Sequence, residues 1–146
     1  MPDLEQYYMN YLTKYEIGDT EEELLRLAGG INNADPSIEE DTDEQSYYDL
    51  EGGTETITQG ITAAYTLSGH RKYKNAAQEF VRDKLFKLNE RNCFFKVTEP
   101  DGRVISGPAT LGGIKPGGGD PNTRGDFECT VTFIGIPKDE PALPEV

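Results

Sequence analysis

The sequence predicts a mainly β, α+β protein: an antiparallel β-sandwich or partly closed barrel with one flanking α-helix. Two blocks of aromatic and β-branched residues flank a Pro-Asp-Gly turn at 100–102, and a third block, 127–136, alternates its side chains with the strand period. Only the stretch 76–88 follows helical spacing, so the pattern offers neither a partner helix for a bundle nor a βαβ repeat for a parallel sheet. The 146 residues suit a single domain, 1–146, with one core.

The first thirty or so residues are predicted to form an arm followed by a strand. Residues 1–20 are interpreted as a possible N-terminal arm, whose tyrosine-rich run 7–15 suits an edge strand or, alternatively, a short helix capped by Asp3. The apolar run 24–28 predicts a strand, and Gly29-Gly30 predicts a bend or bulge after it.

Residues 33–53 are predicted to be a long acidic loop. Few of them are apolar, and mutual repulsion between the carboxylates favours an extended, solvated chain. Tyr47 and Tyr48 interrupt the segment, and because neighbours in an extended chain point to opposite sides, one ring can anchor the loop while the other faces out. A loop of this length is usually functional or disordered. Its acidic residues are Asp35, Glu39, Glu40, Asp41, Asp43, Glu44, Asp49 and Glu51.

One long strand and one helix follow. Residues 54–69 alternate as a strand that Gly60 either bulges or divides. Asn75, with Gln78 three residues later, forms a capping-box pattern, which predicts that the helix spans Ala76 to Leu88. The helix face predicted to enter the core consists of Ala77, Phe80, Val81, Leu85 and Leu88.

The two ends and the cysteines indicate a reducing, aqueous compartment. Residues 1–5 lack the basic and apolar regions of a signal peptide, and no apolar run approaches the roughly 18 residues of a transmembrane helix, so we expect synthesis in a cytosol and no membrane contact. The proline-rich, acidic residues 137–146 are predicted to be a flexible C-terminal tail. Cys93 and Cys129 are expected to be free, half-buried thiols, with a disulfide as the alternative if their strands are neighbours.

The charge of the chain is concentrated in its first half. The net charge is −13: residues 1–60 hold 16 acidic and 2 basic side chains, a net of −14, and residues 61–146 hold 11 acidic and 12 basic ones, a net of +1. Duplex DNA is a dense polyanion that such an acidic front repels. The composition therefore argues against gripping nucleic acid but is compatible with surrounding it. Solubility alone is the alternative explanation of the charge.

The motifs that would carry chemistry are incomplete. His70 is the only histidine and has no serine or cysteine partner at a recognisable spacing. The run 41–45 resembles the start of a calcium loop, but Ser46 and Gly52 stand where that loop needs its glycine and its glutamate. The glycine-rich run 112–120 lacks the Gly-Lys-Ser/Thr ending of a phosphate loop. We therefore expect no catalytic residue, no metal site and no cofactor.

The order and spacing of several short motifs resemble the major tail (tail tube) proteins of long-tailed, non-contractile bacteriophages. The resemblance covers roughly residues 24–137, and residues 1–20 carry little of it. Its motifs are Gly30-Ile31, Glu39-Glu40-Asp41-Thr42-Asp43, Tyr47-Tyr48-Asp49, Gly52-Gly53, Thr58, 67–73, 100–110, 117–120 and 125–129.

The resemblance implies a β-sandwich-like, tail-tube-like subunit with one helix. It implies that six subunits close into a ring, and that rings stack into a virion tail tube through which genome DNA passes without specific binding. It further implies assembly in the host cytoplasm alongside other tail proteins, namely the tape measure, tail terminator and distal tail proteins. A long loop between early strands would reach a neighbouring ring.

The acidic loop is therefore the candidate for contact between rings, because its carboxylates need basic partners and the nearest basic cluster precedes the helix. The candidate residues are Glu39, Glu40, Asp41, Asp43, Glu44, Tyr47, Tyr48, Asp49, Arg71, Lys72 and Lys74. The main hypothesis is a structural, non-enzymatic subunit that assembles with itself. The alternative is a small monomeric β-sandwich that binds a carbohydrate or a divalent cation.

Overall fold

The computed structural model describes residues 5–141, which form one antiparallel sheet with a helix on its flank. The elements are β1 Lys14–Gly18, β2 Leu25–Arg26, β3 Ile31–Gln45, β4 Glu55–His70, α1 Ala76–Asp83, β5 Asn92–Thr98, β6 Val104–Lys115, β7 Asp126–Phe133 and β8 Lys138–Glu140, with short 3-10 turns at Asn10–Leu12 and Tyr48–Leu50. The strands lie in the order β2-β1-β5-β6-β7-β4-β3, and β8 pairs with the beginning of β6.

The predicted mainly β architecture with one flanking helix is confirmed. The sheet does not close, yet it curls enough for Ile17 and Leu27 near one end and Leu67 near the other to share one core cluster. Four aromatic rings lie in the middle of that core: Phe95 is 5.7 Å from both Tyr65 and Phe133 between ring centroids, and Tyr15 stacks 6.3 Å from Phe95. Full burial of such a side chain stabilises the fold by about 1.5–3 kcal/mol.

Helix α1 begins at the predicted residue. The Asn75 Oδ1 atom accepts a hydrogen bond from the Gln78 backbone N–H at 3.2 Å, which is one half of the predicted capping box. The Gln78 side chain does not return to Asn75. It is fully buried, donates from Nε2 to the Gly29 and His70 carbonyls, and accepts at Oε1 from the Lys72 N–H at 2.7 Å. The helix cap is thereby tied to both ends of the β3–β4 hairpin.

The helix ends at Asp83, five residues before the predicted Leu88. Of the predicted core face, Ala77 and Val81 are buried and Phe80 and Leu85 are half-buried, but Leu88 is 83% exposed. After residue 83 the chain forms short turns that lead to β5. The Lys84 ammonium donates to the Glu90 carbonyl and the Arg91 guanidinium donates to the Leu85 carbonyl, and these hydrogen bonds hold the turns in place. The apolar spacing continues in the sequence, but this tertiary turn overrides it.

The predicted acidic loop 33–53 is wrong for most of its length, because the segment is strand. Strand β3 pairs with β4 from Ile31 opposite Gly69 to Gln45 opposite Glu55. Its carboxylates point into water from both faces of the ribbon, where solvent screens their repulsion, while the pairing satisfies the backbone hydrogen-bonding groups. Of the two alternatives predicted at Gly60, a bulge or a division between two strands, the structure has the bulge: Asp41 pairs with Gly60, whereas Thr42 pairs with Thr58.

Both chain ends take part in the sheet more than the sequence predicted. Strand β1, inside the predicted N-terminal arm, lies between β2 and β5, and β8 occupies the first part of the predicted tail, paired with β6. Residues 1–4 and 142–146, which those predictions also cover, lie outside the described residues. No helix within residues 5–141 has the length and apolarity that crossing a membrane requires.

The two cysteines are free and more deeply buried than expected. Cys93 on β5 is 5% exposed and Cys129 on β7 is fully buried, with β6 between their strands. Burial raises the pKa of the Cys93 thiol to about 11 and that of Cys129 to about 12, because the apolar core disfavours the thiolate. Both are therefore core side chains.

Candidate assembly surface

The dominant surface feature is a two-stranded ribbon that extends past the rest of the sheet. Strand β4 pairs with β7 only from Ala64 onward, so its first part, Glu55 to Ala63, has only β3 beside it. We call residues 38–62 the arm and the rest of the described sheet, with α1, the body. At the usual rise per residue it projects about 25 Å from the body. Apart from half-buried Asp43 and Gly60, its residues are exposed, so the arm contributes almost nothing to the core.

Both edges of the arm are unpaired within residues 5–141. No described strand lies beyond β3, and none lies on the other side of β4 before Ala64. Such an edge presents a row of free N–H and C=O groups on which another strand can form. Three isoleucines on the ribbon are also exposed to water: Ile38 by 60%, Ile57 by 42% and Ile61 by 38%. The arm thus combines open hydrogen-bonding edges with apolar side chains.

The arm carries negative charge on both faces. The register places Glu39, Asp41 and Asp43 on one face of β3, and Glu40 and Glu44 on the other. The arm holds eight acidic and no basic side chains: its other carboxylates are Asp49, Glu51 and Glu55. Neutralising cations must therefore come from outside the arm.

The tip of the arm is a defined turn with exposed aromatic side chains. The Leu50 N–H donates to the Tyr47 carbonyl at 3.1 Å, and the Gly53 N–H donates to the Leu50 carbonyl at 3.0 Å. Glu51 and Gly52 adopt positive φ angles of 49° and 93°, which close the turn. Tyr48 is completely exposed, Tyr47 is 47% exposed and Leu50 is 38% exposed. All three side chains are therefore exposed at the end of the arm.

The opposite end of β4 is basic, but Arg71 is already used within the subunit. Its side chain is only 4% exposed, its Nη2 lies 2.7 Å from Glu79 Oε1, and its guanidinium lies 4.4 Å from the ring centroid of Tyr73. The hydrogen bond from Arg71 is the main reason that the pKa of Glu79 lies below its ordinary value. Arg71 therefore does not suit the role of a partner for another subunit's carboxylates.

The exposed cations of that end are Lys72, Lys74 and Arg124. Lys72 and Lys74 precede α1, and Arg124 lies beside His70 in the loop before β7. None of the three forms an ion pair with a described residue. The subunit is thus electrically polar along β4, with the acidic arm at one end and exposed cations at the other.

A groove lies where the two ends of the curled sheet approach each other. It holds about 480 Å³. Its lining comes from residues in and just before β1, in and just after β2, and at the beginning of β3, namely Tyr11, Tyr15, Leu27, Ile31, Ala34 and Pro36 among others. Sequence reasoning missed it, because no local pattern brings segments 10–15 and 31–36 together. The only local signal is the Gly29-Gly30 turn that joins its two walls.

The described residues offer no assembled chemical centre. Within residues 5–141 there is no group of three or more histidine, cysteine or acidic side chains placed to hold a metal ion. His70 is half-buried, and its Nδ1 atom has no hydrogen-bond partner among the described residues. The depression beside it is lined by loop residues 121–124.

No protein-family model matches the sequence, and no curated protein matches it. Solved structures do match the fold. A chain in the tail of an empty gene transfer agent particle, obtained by helical refinement with C6 symmetry, superposes with a TM-score of 0.74 at 17% identity, over 90% of this chain and 98% of that one. A chain in the virion of the native gene transfer agent particle gives 0.73 at 17% identity, over 92% and 100%.

A third structure, the cap that terminates the tube of the anti-feeding prophage, gives a TM-score of 0.61 at 16% identity, over 97% of both chains. At such identities the likeness establishes the fold. The protein has the fold of subunits found in the tails and tube cap of these particles.

Proposed function

We propose that the protein is a structural subunit of the tail tube of a long-tailed, non-contractile bacteriophage. Six copies would form a ring, and rings would stack into a passive acidic conduit for genome DNA. The proposal rests on one observation: neither edge of the arm pairs with another strand within residues 5–141. A two-stranded ribbon is at best marginally stable in water by itself, so partners for these edges would stabilise it.

A tube of stacked rings requires contacts within each ring and contacts between rings, and the protein carries a feature suited to each. Pairing between the edges of neighbouring arms would extend the sheet sideways and could close a ring. The charge polarity along β4 favours head-to-tail contact, which does not close and generates a stack. The ring size of six is supported by the C6 symmetry of the gene transfer agent tail, whose subunit has this fold.

Contact between rings is assigned to the arm and to the cations of the next subunit. In this proposal the carboxylates of Glu39, Glu40, Asp41, Asp43, Glu44 and Asp49, together with Tyr47 and Tyr48, face Lys72 and Lys74 of a copy in the adjacent ring. An interface made of many such exposed pairs is weak per pair, and repetition around a hexamer multiplies it.

A conduit for DNA needs walls to which phosphate does not adhere. The net charge of −13 supports this role, since unneutralised carboxylates repel the duplex and favour sliding. The proposed location is the virion tail, after assembly in the host cytoplasm, with tape measure, tail terminator and distal tail proteins as the other partners. The proposal assigns no catalytic activity.

Negative-stain microscopy of the concentrated protein tests the proposal. The expected result is hollow tubes or stacked rings. A matched variant replaces residues 39–62 by Asn-Gly, a two-residue hairpin turn that joins Ile38 directly to its register partner Ala63. This variant is expected to keep the body's unfolding transition and to form no tubes.

Two outcomes would count against the proposal. Tubes formed by the armless variant would exclude the arm as the assembly element. A wild-type protein that remains a monodisperse monomer at high concentration, and whose melting temperature rises with a carbohydrate or a divalent cation, would indicate a binding module instead.

A further inference from the structure

We propose that the groove between the two ends of the sheet receives the arm tip of a second copy of this chain. The inference rests on the proposed self-assembly and names the receiving surface for its head-to-tail contact. The arm tip comprises residues 47–53. The groove, of about 480 Å³, is lined by the residues given above, among which Tyr11, Leu27 and Ile31 supply aromatic and apolar surface.

The tip has the chemistry of an anchor. Tyr47, Tyr48 and Leu50 are exposed on a turn that two backbone hydrogen bonds hold in place, so little backbone freedom is lost when they are buried. Aromatic side chains that enter pockets dominate the binding energy of protein interfaces. Exposed apolar side chains at the end of a charged ribbon are otherwise unfavourable in water.

The groove has the complementary charge. Arg26 lines it, opposite Glu16 on β1, and the stem of Lys72 lies against the Gly29-Gly30 turn that joins its walls, where a Cβ on Gly29 would come within 3.4 Å of Lys72 Cδ. Neither cation forms an ion pair with a described residue. The tip carries Asp49 and Glu51 beside its apolar side chains. An arriving tip would therefore meet apolar side chains together with two cations.

The two surfaces lie at opposite ends of the same strand. The groove includes the first residues of β3, 31–36, and the tip follows its last residue, Gln45. Because β3 is extended, the tip of one chain cannot reach its own groove. Copies joined in this way are related by a shift along the strand, which repeats without closing.

Cysteine cross-linking tests the contact without changing either tyrosine. Ser46→Cys lies directly before the tip and Asn33→Cys lies in the lining of the groove, and both native residues are exposed. A disulfide between these positions must join two chains, because it needs Cα atoms within about 7 Å. The double variant is expected to give a ladder of covalent oligomers under mild oxidation. The matched control, Ser46→Cys with Leu88→Cys, has an exposed second site outside the groove and is expected to give none.

A second measurement uses the anchor itself. Tyr48→Ala is expected to raise the protein concentration at which tubes appear by at least about tenfold, as loss of an interface anchor does. Tyr48→Phe keeps the ring and is expected to change that concentration by less than about threefold. Equal behaviour of the two variants, with tubes forming at the wild-type concentration, would overturn the inference.

The outcomes separate this inference from the proposed function. Tubes without the Ser46–Asn33 cross-link overturn the groove as receptor and leave tube assembly intact. Cross-linked ladders from a protein that never forms tubes overturn the tube and retain the groove contact. The absence of both overturns both. A cysteine at Val146 that forms an intrachain disulfide with Asn33→Cys would place the chain's own C-terminus in the groove and also overturn the inference.

Discussion

The body and the arm of this protein share the β3–β4 hairpin but are stabilised differently. In the body, β4 has β3 on one side and β7 on the other, and Ala63, Tyr65 and Leu67 enter a common core. In the arm the same strand loses β7, its side chains face water on both sides, and no core lies beneath it. The body is therefore stabilised by burial, whereas no element within residues 5–141 covers the surfaces and edges of the arm.

The largest difference is expected from truncating apolar side chains in each region. Phe95→Ala, which empties a fully buried ring position, should lower the free energy of unfolding by about 3–5 kcal/mol. Ile57→Ala in the arm, where the side chain is 42% exposed, should lower it by less than about 0.5 kcal/mol. Urea unfolding of both monomeric variants measures the contrast. Similar losses would show that the arm belongs to the cooperative core.

Two glycines of the same strand sharpen the comparison. A Cβ at Gly69 in the body would clash with the Gly30 carbonyl oxygen and lie 2.8 Å from the Asn32 nitrogen, so Gly69→Ala should cost about 1–3 kcal/mol. At Gly60 in the arm the nearest atom would be Asp41 Cβ at 3.9 Å. Gly60→Ala should therefore be neutral or stabilise by up to about 1 kcal/mol. Thermal unfolding of the pair measures this, and a costly Gly60→Ala would contradict it.

Thiol reactivity compares the regions without altering their packing. With pKa values of about 11 and 12, the native thiols of Cys93 and Cys129 should react with iodoacetamide at pH 8 at least about 100-fold more slowly than a cysteine introduced at Thr58 in the arm. Mass spectrometry of timed samples measures both rates. Denaturant should abolish the difference, and fast native labelling would contradict deep burial of the thiols.

The smallest expected effect is the acid dependence of the body's partly exposed ion pair. The Arg71 hydrogen bond lowers the pKa of Glu79 in the folded state, so the pair stabilises the fold above glutamate's ordinary value of 4.5 and this contribution is lost as the pH falls below it. Glu79→Gln should flatten the acid limb of the stability curve. Unfolding midpoints measured from about pH 3 to about pH 6 test this expectation. An unchanged acid limb would contradict the assignment.

Local patterns in the sequence predicted most of the body. Alternation on residues 127–133, the Pro-Asp-Gly turn and the Asn75 cap each act through neighbours along the chain, and β7, the β5–β6 hairpin and the start of α1 are present where they were expected. The end of α1 was placed too late, because Arg91 and Lys84 turn the chain through contacts that helical spacing does not record.

For the acidic segment 33–53, in contrast, local patterns predicted the wrong structure. Its composition predicts repulsion and a loop, and nothing within 33–53 signals that Asp41 and Asp43 belong to a strand. The partner that makes it a strand is β4, whose own alternation was recognised. Pairing between two segments supplies hydrogen bonds that neither segment's propensity contains.

By itself the sequence determined the class of fold, the position of the helix cap and the concentration of negative charge near the N-terminus, because each depends on local spacing or on composition. At Gly60 it predicted an irregularity but left a bulge and a division between two strands as alternatives. Tertiary structure alone decided that the carboxylates line a paired, projecting ribbon. It also decided that Arg71 forms an ion pair with Glu79 and that residues distant in the chain enclose a groove. The physical reason is that register, burial and charge pairing depend on which segments meet, and a sheet brings together segments that no local pattern joins.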